Sequence, residues 1–310
     1  MFRKQTFCPK LWNEIFINKD GGVFSCCHKK PRIIGSIYQE GLDVLCNNQV
    51  IQNLRRESLS GKLSCYGGCS LLPKDKSFSL KTSSEIGYKD LRRLKISFGD
   101  MCNISCVMCH RSNIDTESLD FDKVKEQVDL SPFNSIEIQG GEPLFIEAAR
   151  KFFDYASSMD KKVSFLTNGL LIDDEWSRKI ALHSAFIYFS LNAATKETHE
   201  SINRGSKWEL VLENIQRVRR ARSALNTPVK IMGHMTIIPR NLAEIALFIR
   251  MFQEFGFDSI NFGYDIRVPL YLKLHPSKKK EISLEIREAL RNSRVLPLVD
   301  SYRLKLLGLI

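Results

Sequence analysis

Leu94-Lys95-Ile96-Ser97-Phe98-Gly99-Asp100-Met101-Cys102-Asn103-Ile104-Ser105-Cys106-Val107-Met108-Cys109 decides the fold of this chain. Its first five residues read as a short buried strand, and the remainder reads as a loop. That loop carries three thiols within eight residues, enough to wrap one compact metal centre. Soft thiolates select iron–sulfur, zinc or copper(I). A structural zinc site is closed by four ligands, whereas a cluster held by three protein thiolates leaves one iron open. His110 comes directly after, and a Cys3His zinc site is the alternative reading.

Outward from this stretch, β-rich runs alternate with amphipathic ones. Strands are expected near Leu94–Phe98, Ser135–Gln139, Lys162–Thr167, Ala185–Leu191, Val229–Ile237 and Ser259–Phe262. Helices fit between them at Glu147–Ser158, Trp208–Ser223 and Leu242–Phe255, and Leu296 to Ile310 reads as a terminal helix. Such alternation implies an α/β fold with parallel strands. Periodicity leaves an open doubly wound sheet and a complete or partial barrel equally possible. Either gathers functional groups at the carboxyl ends of strands.

The chain before residue 90 differs. Phe16-Ile17-Asn18, the turn Asp20-Gly21-Gly22 and Val23-Phe24 read as a hairpin, because Asp-Gly supplies positive φ at low cost. A helix is expected from Leu42 to Leu59, and the Lys- and Ser-rich stretch Pro73 to Ser84 is the linker candidate. Two domains are therefore expected, 1–90 and 91–310.

With 310 residues, 43% of them hydrophobic and 26% charged, the chain has the composition of a globular protein with a sizeable core. No apolar run approaches the roughly 18–20 residues that span a bilayer, and the first residues lack a signal-peptide core. A cytoplasmic protein without a membrane partner is expected. The net charge of +11 comes from scattered basic residues with no recognition motif beside them, which argues against nucleic acid as the partner. Nine cysteines, an odd number, point to metal rather than to a disulfide framework in a reducing compartment.

Further motifs come after the strands in order. Gly140-Gly141-Glu142-Pro143 succeeds the second, Thr167-Asn168-Gly169 ends the third, and Ser190-Leu191-Asn192 ends the fourth. Ser201-Ile202-Asn203-Arg204-Gly205 lies further on. The CxxxCxxC spacing of Cys102, Cys106 and Cys109 after a first strand, with the Gly-Gly-Glu-Pro turn after a second, resembles the radical S-adenosylmethionine (SAM) superfamily. The resemblance covers residues 92 to about 265. It implies a partial (β/α)6 TIM-like barrel and a [4Fe-4S] cluster on Cys102, Cys106 and Cys109 whose open iron chelates SAM. By the same resemblance Gly140, Gly141, Glu142 and Pro143 receive the methionyl amine. Thr167, Asn168, Ser190 and Asn192 supply polar SAM-binding groups, and Arg204 holds the SAM carboxylate through its planar fork. Met108 stands where the family usually has an aromatic residue near the adenine, and Asn192 where it often has Asp.

Six cysteines precede residue 70. Cys8-Pro9, the run from Asp20 to Cys26-Cys27, and Cys65-x3-Cys69 resemble the SPASM/twitch auxiliary-cluster modules of many radical SAM enzymes. Those modules usually come after the barrel, and here the match precedes it. The resemblance implies one auxiliary [4Fe-4S] cluster on Cys8, Cys26, Cys65 and Cys69; a zinc ribbon suits four thiolates equally. Cys26 rather than Cys27 is taken from its spacing to Gly21. Cys46 reads as a buried small hydrophobe.

The implied activity is reductive cleavage of SAM to a 5′-deoxyadenosyl radical that abstracts hydrogen from a substrate. The expected substrate is a peptide or natural product undergoing oxidation, cross-linking or dehydrogenation. An external electron donor of the flavodoxin or ferredoxin type is the implied partner. A sugar or aminoglycoside epimerase or dehydrogenase is the alternative within the superfamily, and a glycyl-radical maturase ranks lower. A non-catalytic zinc-stabilised binding protein is the alternative of another class. The sequence assigns no catalytic acid or base; His234, Tyr264 and Asp265 are candidates to face the substrate.

Overall fold

The hairpin expected around Asp20-Gly21 forms. Strand Glu14–Ile17 runs antiparallel to Gly22–Phe24, with Phe16 opposite Phe24, and Gly21 sits at φ +74°, a conformation glycine adopts freely. These elements belong to a computed structural model that describes residues 4–26, 32–65, 83–110, 116–291 and 295–310. The chain divides into two units. One comprises Met1–Met101 and Ile114–Ser164, the other Cys102–Asn113 and Phe165–Ile310.

In the first unit the order of the main strands is Ile33–Ser36, Gly22–Phe24, Glu14–Ile17, Arg93–Ser97 and Ser135–Gln139. The last three are mutually parallel. Side-chain alternation sends Leu94, Ile96, Ile136 and Ile138 into the core, while Lys95 and Glu137 pair at 3.1 Å on the other face. Helix Glu147–Ser158 covers the core face with Ala149, Phe152, Phe153 and Ala156, and Phe152 lies 5.1 Å, centroid to centroid, from Phe98. Each such ring stabilises the fold by about 1.5–3 kcal/mol through burial.

The helix expected over Leu42 to Leu59 is two helices, Leu42–Leu45 and Gln49–Leu59. Asn48 lies between them in extended conformation, and its side chain accepts the Val50 and Ile51 N–H groups. Asparagine satisfies the orphan donors of a new helix better than it continues an old one. The second helix carries Arg55, fully buried. Its guanidinium donates to the carbonyls of Leu11, Cys46 and Ser84 and to Asn47 Oδ1, all within 3.0 Å. One planar fork thus ties three segments of a small module together. Burial lowers the Arg55 pKa to about 10, against a smaller raising effect of Cys46; the group stays cationic at neutral pH.

In the second unit the order is Val163–Thr167 (from Phe165 onward), Phe186–Ser190, Lys230–Ile237, Ser259–Tyr264 and Val299–Asp300, parallel throughout. Ile187, Phe189, Ile231, Met235, Ile260 and Phe262 are buried. Helices Trp208–Ala224 and Ile245–Phe255 supply Val211, Ile215, Val218, Phe248, Ile249 and Phe252 to this core. The alternate positions Tyr188, Ser190, Met232, His234, Thr236 and Asn261 form a half-buried, mostly polar opposite face. Both units are thus α/β, the first on a mixed sheet and the second on a parallel one, the class expected from the alternation of elements. The terminal stretch is less helical than expected. It holds a 3-10 turn Leu296–Leu298, the strand Val299–Asp300 and a helix Tyr302–Leu306. Pro297 and Asp300, which accepts the Tyr302 N–H through Oδ1, break the run. Among the described residues no helix is long and apolar enough to cross a membrane.

Candidate functional site

Cys102, Cys106 and Cys109 lie on one loop of the second unit. Cys102 and Cys106 are half-buried and Cys109 is exposed. The Cys109 N–H bonds the Cys106 carbonyl at 3.1 Å, turning the loop back on itself. Ser105–Cys106 forms a two-residue antiparallel ladder with Asn203–Arg204, Cys106 opposite Asn203 and Ser105 opposite Arg204. The Val107 N–H extends it to the Ile202 carbonyl at 2.9 Å. Burial first, then the neighbouring Cys102 and Cys109, pushes Cys106 up to about 12. Cys102 and Cys109 thus lie close enough to oppose the ionisation of Cys106, and a cationic centre bound there removes that opposition. Among the described residues no three His, Cys, Asp or Glu side chains converge at the spacing of a single ion. The donor chemistry, three soft thiolates on one short loop, is that of a cluster held by three protein ligands.

The third and fourth strands of the α/β pattern end beside this loop within the same unit. Asn168 Nδ2 donates to Asn103 Oδ1 at 2.7 Å and lies 3.8 Å from the Cys102 sulfur. Its Oδ1 accepts the Leu170 N–H, and Thr167 Oγ1 accepts the Gly169 N–H; both side chains are buried. Ser190 is half-buried. Asn192 is buried at φ +58°. Its Oδ1 accepts the Thr236 N–H at 2.8 Å, its Nδ2 donates to Asn203 Oδ1 at 3.0 Å, and its carbonyl accepts Asn241 Nδ2. The structure thus commits most of its amide to the protein itself. Arg204 is exposed, as the residue beyond the buried Asn203 on a two-residue strand must be. Met108 is half-buried in the turn before Cys109.

The glycine turn belongs to the first unit. Its Gly141 N–H bonds the Gly99 carbonyl at 2.8 Å, and the Glu142 N–H bonds the Met101 carbonyl at 2.9 Å. Gly140 takes φ +122°. A Cβ on Gly141 would stand 1.9 Å from the Met101 oxygen, so the two glycines allow two main chains to touch. Glu142 is buried, its Oε1 accepting the Leu144 N–H; Pro143 comes next in the turn.

Sequence reasoning missed His199 and Asn203. His199 is fully buried. Its Nδ1 donates to the Leu191 carbonyl and its Nε2 accepts the Ser206 hydroxyl at 2.8 Å. It fastens the Asn203–Ser206 segment to the end of the fourth strand. The one signal was the neighbouring Arg204: on so short a strand, the residue beside an exposed group faces inward. Burial lowers the His199 pKa, partly offset by the bond to Leu191. It stays neutral in the fold, while the unfolded chain takes up a proton there below about pH 6.5. The stability it contributes is complete above that pH. It falls as pH drops, by at most about 1.4 kcal/mol per pH unit. Urea midpoints near about pH 7 and about pH 5 are expected to fall further apart in wild type than in His199→Gln; equal separations would sink this account.

Of the substrate-facing candidates, His234 lies on the half-buried polar face. It is held between Asn261 Oδ1 and Thr236 Oγ1 and kept neutral by burial. Asp265 is buried and forked by Arg267 through Nε at 2.6 Å and the terminal nitrogen at 3.1 Å, which lowers its pKa. Tyr264 lies under the Arg303 guanidinium.

In the N-terminal part, Cys8 opens the 3-10 turn Pro9–Trp12, and its N–H donates to Ser58 Oγ at 2.8 Å. Cys26 lies just beyond strand Gly22–Phe24 and is half-buried. Cys65 ends a short strand, Leu63–Cys65, antiparallel to Lys4–Thr6. Cys69 and Cys27 lie outside the described residues, as does most of the expected linker. Cys46 is buried and its thiol donates to the Asp43 carbonyl.

Two family profiles match the chain: the radical SAM superfamily over residues 96–252 and SPASM, an iron–sulfur cluster-binding domain, over residues 8–70. A probable GTP 3′,8-cyclase of Saccharolobus islandicus is 27% identical over 221 residues, 66% of this chain and 63% of that protein. One of Aeropyrum pernix is 25% identical over 185 residues, 55% of this chain and 50% of that protein. The chain thus spans half to somewhat under two thirds of the length of these relatives. Streptococcus suis SuiB bound to its precursor peptide SuiA aligns over 92% of this chain and 70% of SuiB, at 13% identity and TM-score 0.48. Methylornithine synthase aligns over 56% of this chain and 53% of that one, at 13% identity and TM-score 0.44.

Proposed function

The chain belongs to the radical SAM superfamily, and on that premise we propose that Cys102, Cys106 and Cys109 hold the SAM-binding cluster of an enzyme that modifies a peptide or natural product. Membership implies a [4Fe-4S] cluster and SAM, and the SPASM match implies auxiliary iron–sulfur. The observation that carries the reading is the loop itself, three thiols on one short segment with Cys102 and Cys109 near enough to raise Cys106. When bound, the cluster supplies the electron that cleaves SAM to methionine and a 5′-deoxyadenosyl radical, which takes a hydrogen atom from substrate. The protein's part is position. Gly140 and Gly141 bring a main chain close and Glu142 offers a carboxylate to the methionyl amine. Thr167, Asn168, Ser190 and Asn192 line the strand ends, Arg204 offers its fork to the SAM carboxylate, and Met108 gives the adenine an apolar neighbour.

Cys8, Cys26, Cys65 and Cys69 are the proposed ligands of the auxiliary cluster, which offers the product radical an electron acceptor. That favours net oxidation, cross-linking or dehydrogenation. A flavodoxin- or ferredoxin-type donor supplies the first electron. The second reading, closure of a ring on a purine nucleotide, is favoured by the names of the archaeal relatives.

The test is anaerobic reconstitution, then addition of SAM and reductant, with 5′-deoxyadenosine as the readout. Brown protein with about eight irons per chain and 5′-deoxyadenosine formation is the expected result; zinc without iron would overturn it. GTP that raises 5′-deoxyadenosine yield and is itself consumed would favour the second reading over the peptide.

A further inference from the structure

Asn203 has no part in the SAM-binding set, yet its side chain occupies the centre of the polar network behind the cysteine loop. It is 1% exposed. Its Oδ1 accepts the Cys106 thiol at 3.4 Å and Asn192 Nδ2 at 3.0 Å. Its Nδ2 donates to the Ser190 carbonyl at 3.2 Å and lies 3.3 Å from His199 Nδ1. Its main chain is the ladder partner of Cys106, and its carbonyl accepts the Ser206 N–H at 2.8 Å. Main chain and side chain together fix where this carboxamide stands. Asn192 is itself fixed by Thr236 and Asn241.

We infer that the Asn203 carboxamide is the positioning group of Cys106: it aims the sulfur and sets the reduction potential of the cluster that sulfur ligates. The inference rests on the assignment of the cluster to Cys102, Cys106 and Cys109. A cysteine sulfur bound to iron carries no proton, so it accepts hydrogen bonds and does not donate them. A carboxamide offers oxygen or nitrogen to the same neighbour by half a turn about its Cβ–Cγ bond, with little displacement of other atoms. In the turned state the bonds to the Ser190 carbonyl and from Asn192 Nδ2 are given up, and the His199 Nδ1–H, shared with the Leu191 carbonyl, meets a second oxygen in partial exchange. The oxygen-facing amide suits the free thiol and the nitrogen-facing amide suits the iron-bound sulfur. An N–H on a ligand sulfur draws electron density from the cluster and eases its reduction. Asn168 stands less directly on Cys102, at 3.8 Å, with its amide already given to Asn103.

Asn203→Asp keeps the shape, removes the N–H and adds negative charge. The experiment is a redox titration of reconstituted full-length protein. It tracks the electron paramagnetic resonance signal that SAM perturbs, in wild type, Asn203→Asp and the Cys102/Cys106/Cys109→Ala variant. The expected result is wild-type iron content in Asn203→Asp with a lower midpoint potential. An unchanged midpoint at full iron would overturn the inference and leave the cluster assignment standing. If the triple variant holds as much iron as wild type and wild type shows no SAM-perturbed signal, the assignment and the inference fall together. Should Asn203→Asp fold poorly, wild type labelled with 15N-asparagine decides. A side-chain nitrogen coupled to the reduced cluster supports the inference, and no such coupling overturns it.

Discussion

Alanine at Cys102, Cys106 and Cys109 together is expected to remove about four irons per chain and to end 5′-deoxyadenosine formation. The thiols lie within eight residues of one loop, and burial first, then Cys102 and Cys109, push Cys106 up to about 12. Without them nothing on the loop replaces thiolate, since His110 is one exposed imidazole. On the proposed assignment the effect on turnover is total, because the substitution removes the seat of the reactive group and not an adjustment to it. The fold is expected to survive. The loop is fastened by main-chain bonds from Ser105–Cys106 to Asn203–Arg204 and from Val107 to Ile202, which alanine keeps. Iron and sulfide content, a thermal melt and 5′-deoxyadenosine yield check this together. Undiminished iron in a folded variant would move the cluster elsewhere in the chain.

Gly141→Ala is the second large effect. A Cβ there would lie 1.9 Å from the Met101 oxygen and 2.7 Å from the Asp100 carbonyl. Both are backbone atoms, which do not swing aside as a side chain does. The turn must therefore withdraw, losing the Gly141 bond to Gly99 and the Glu142 bond to Met101. Overpacking of about 1–3 kcal/mol and two hydrogen bonds of about 1 kcal/mol each give a destabilisation of about 3–5 kcal/mol. If the turn also receives the SAM amine, affinity for SAM falls at least roughly tenfold, since a hydrogen bond to a charged group is worth about 1.5–3 kcal/mol. Urea denaturation and SAM equilibrium dialysis measure the two effects separately. A variant within about 0.5 kcal/mol of wild type would show that the Gly99–Met101 segment yields easily. Normal SAM affinity in a destabilised variant would remove the turn from the SAM site.

The sequence by itself determined the cysteine loop, the glycine turn and the parallel α/β alternation. All three are local patterns. Thiol spacing, a Gly-Gly pair after a strand, and two-residue alternation such as Leu94 and Ile96 need no knowledge of distant partners. The hairpin at Asp20-Gly21 was legible for the same reason. The break at Asn48 was not, because apolar periodicity continues across it while a side-chain cap ends the first helix. Tertiary structure alone decided that Asn203 meets Cys106 across 97 residues of sequence. It alone decided that Arg55 gathers Leu11, Cys46, Asn47 and Ser84, and that Asn192 spends its amide on Thr236 and Asn203. Hydrogen bonds between remote segments leave no periodic trace, since their partners are chosen by where strands end and not by what stands beside them in the chain.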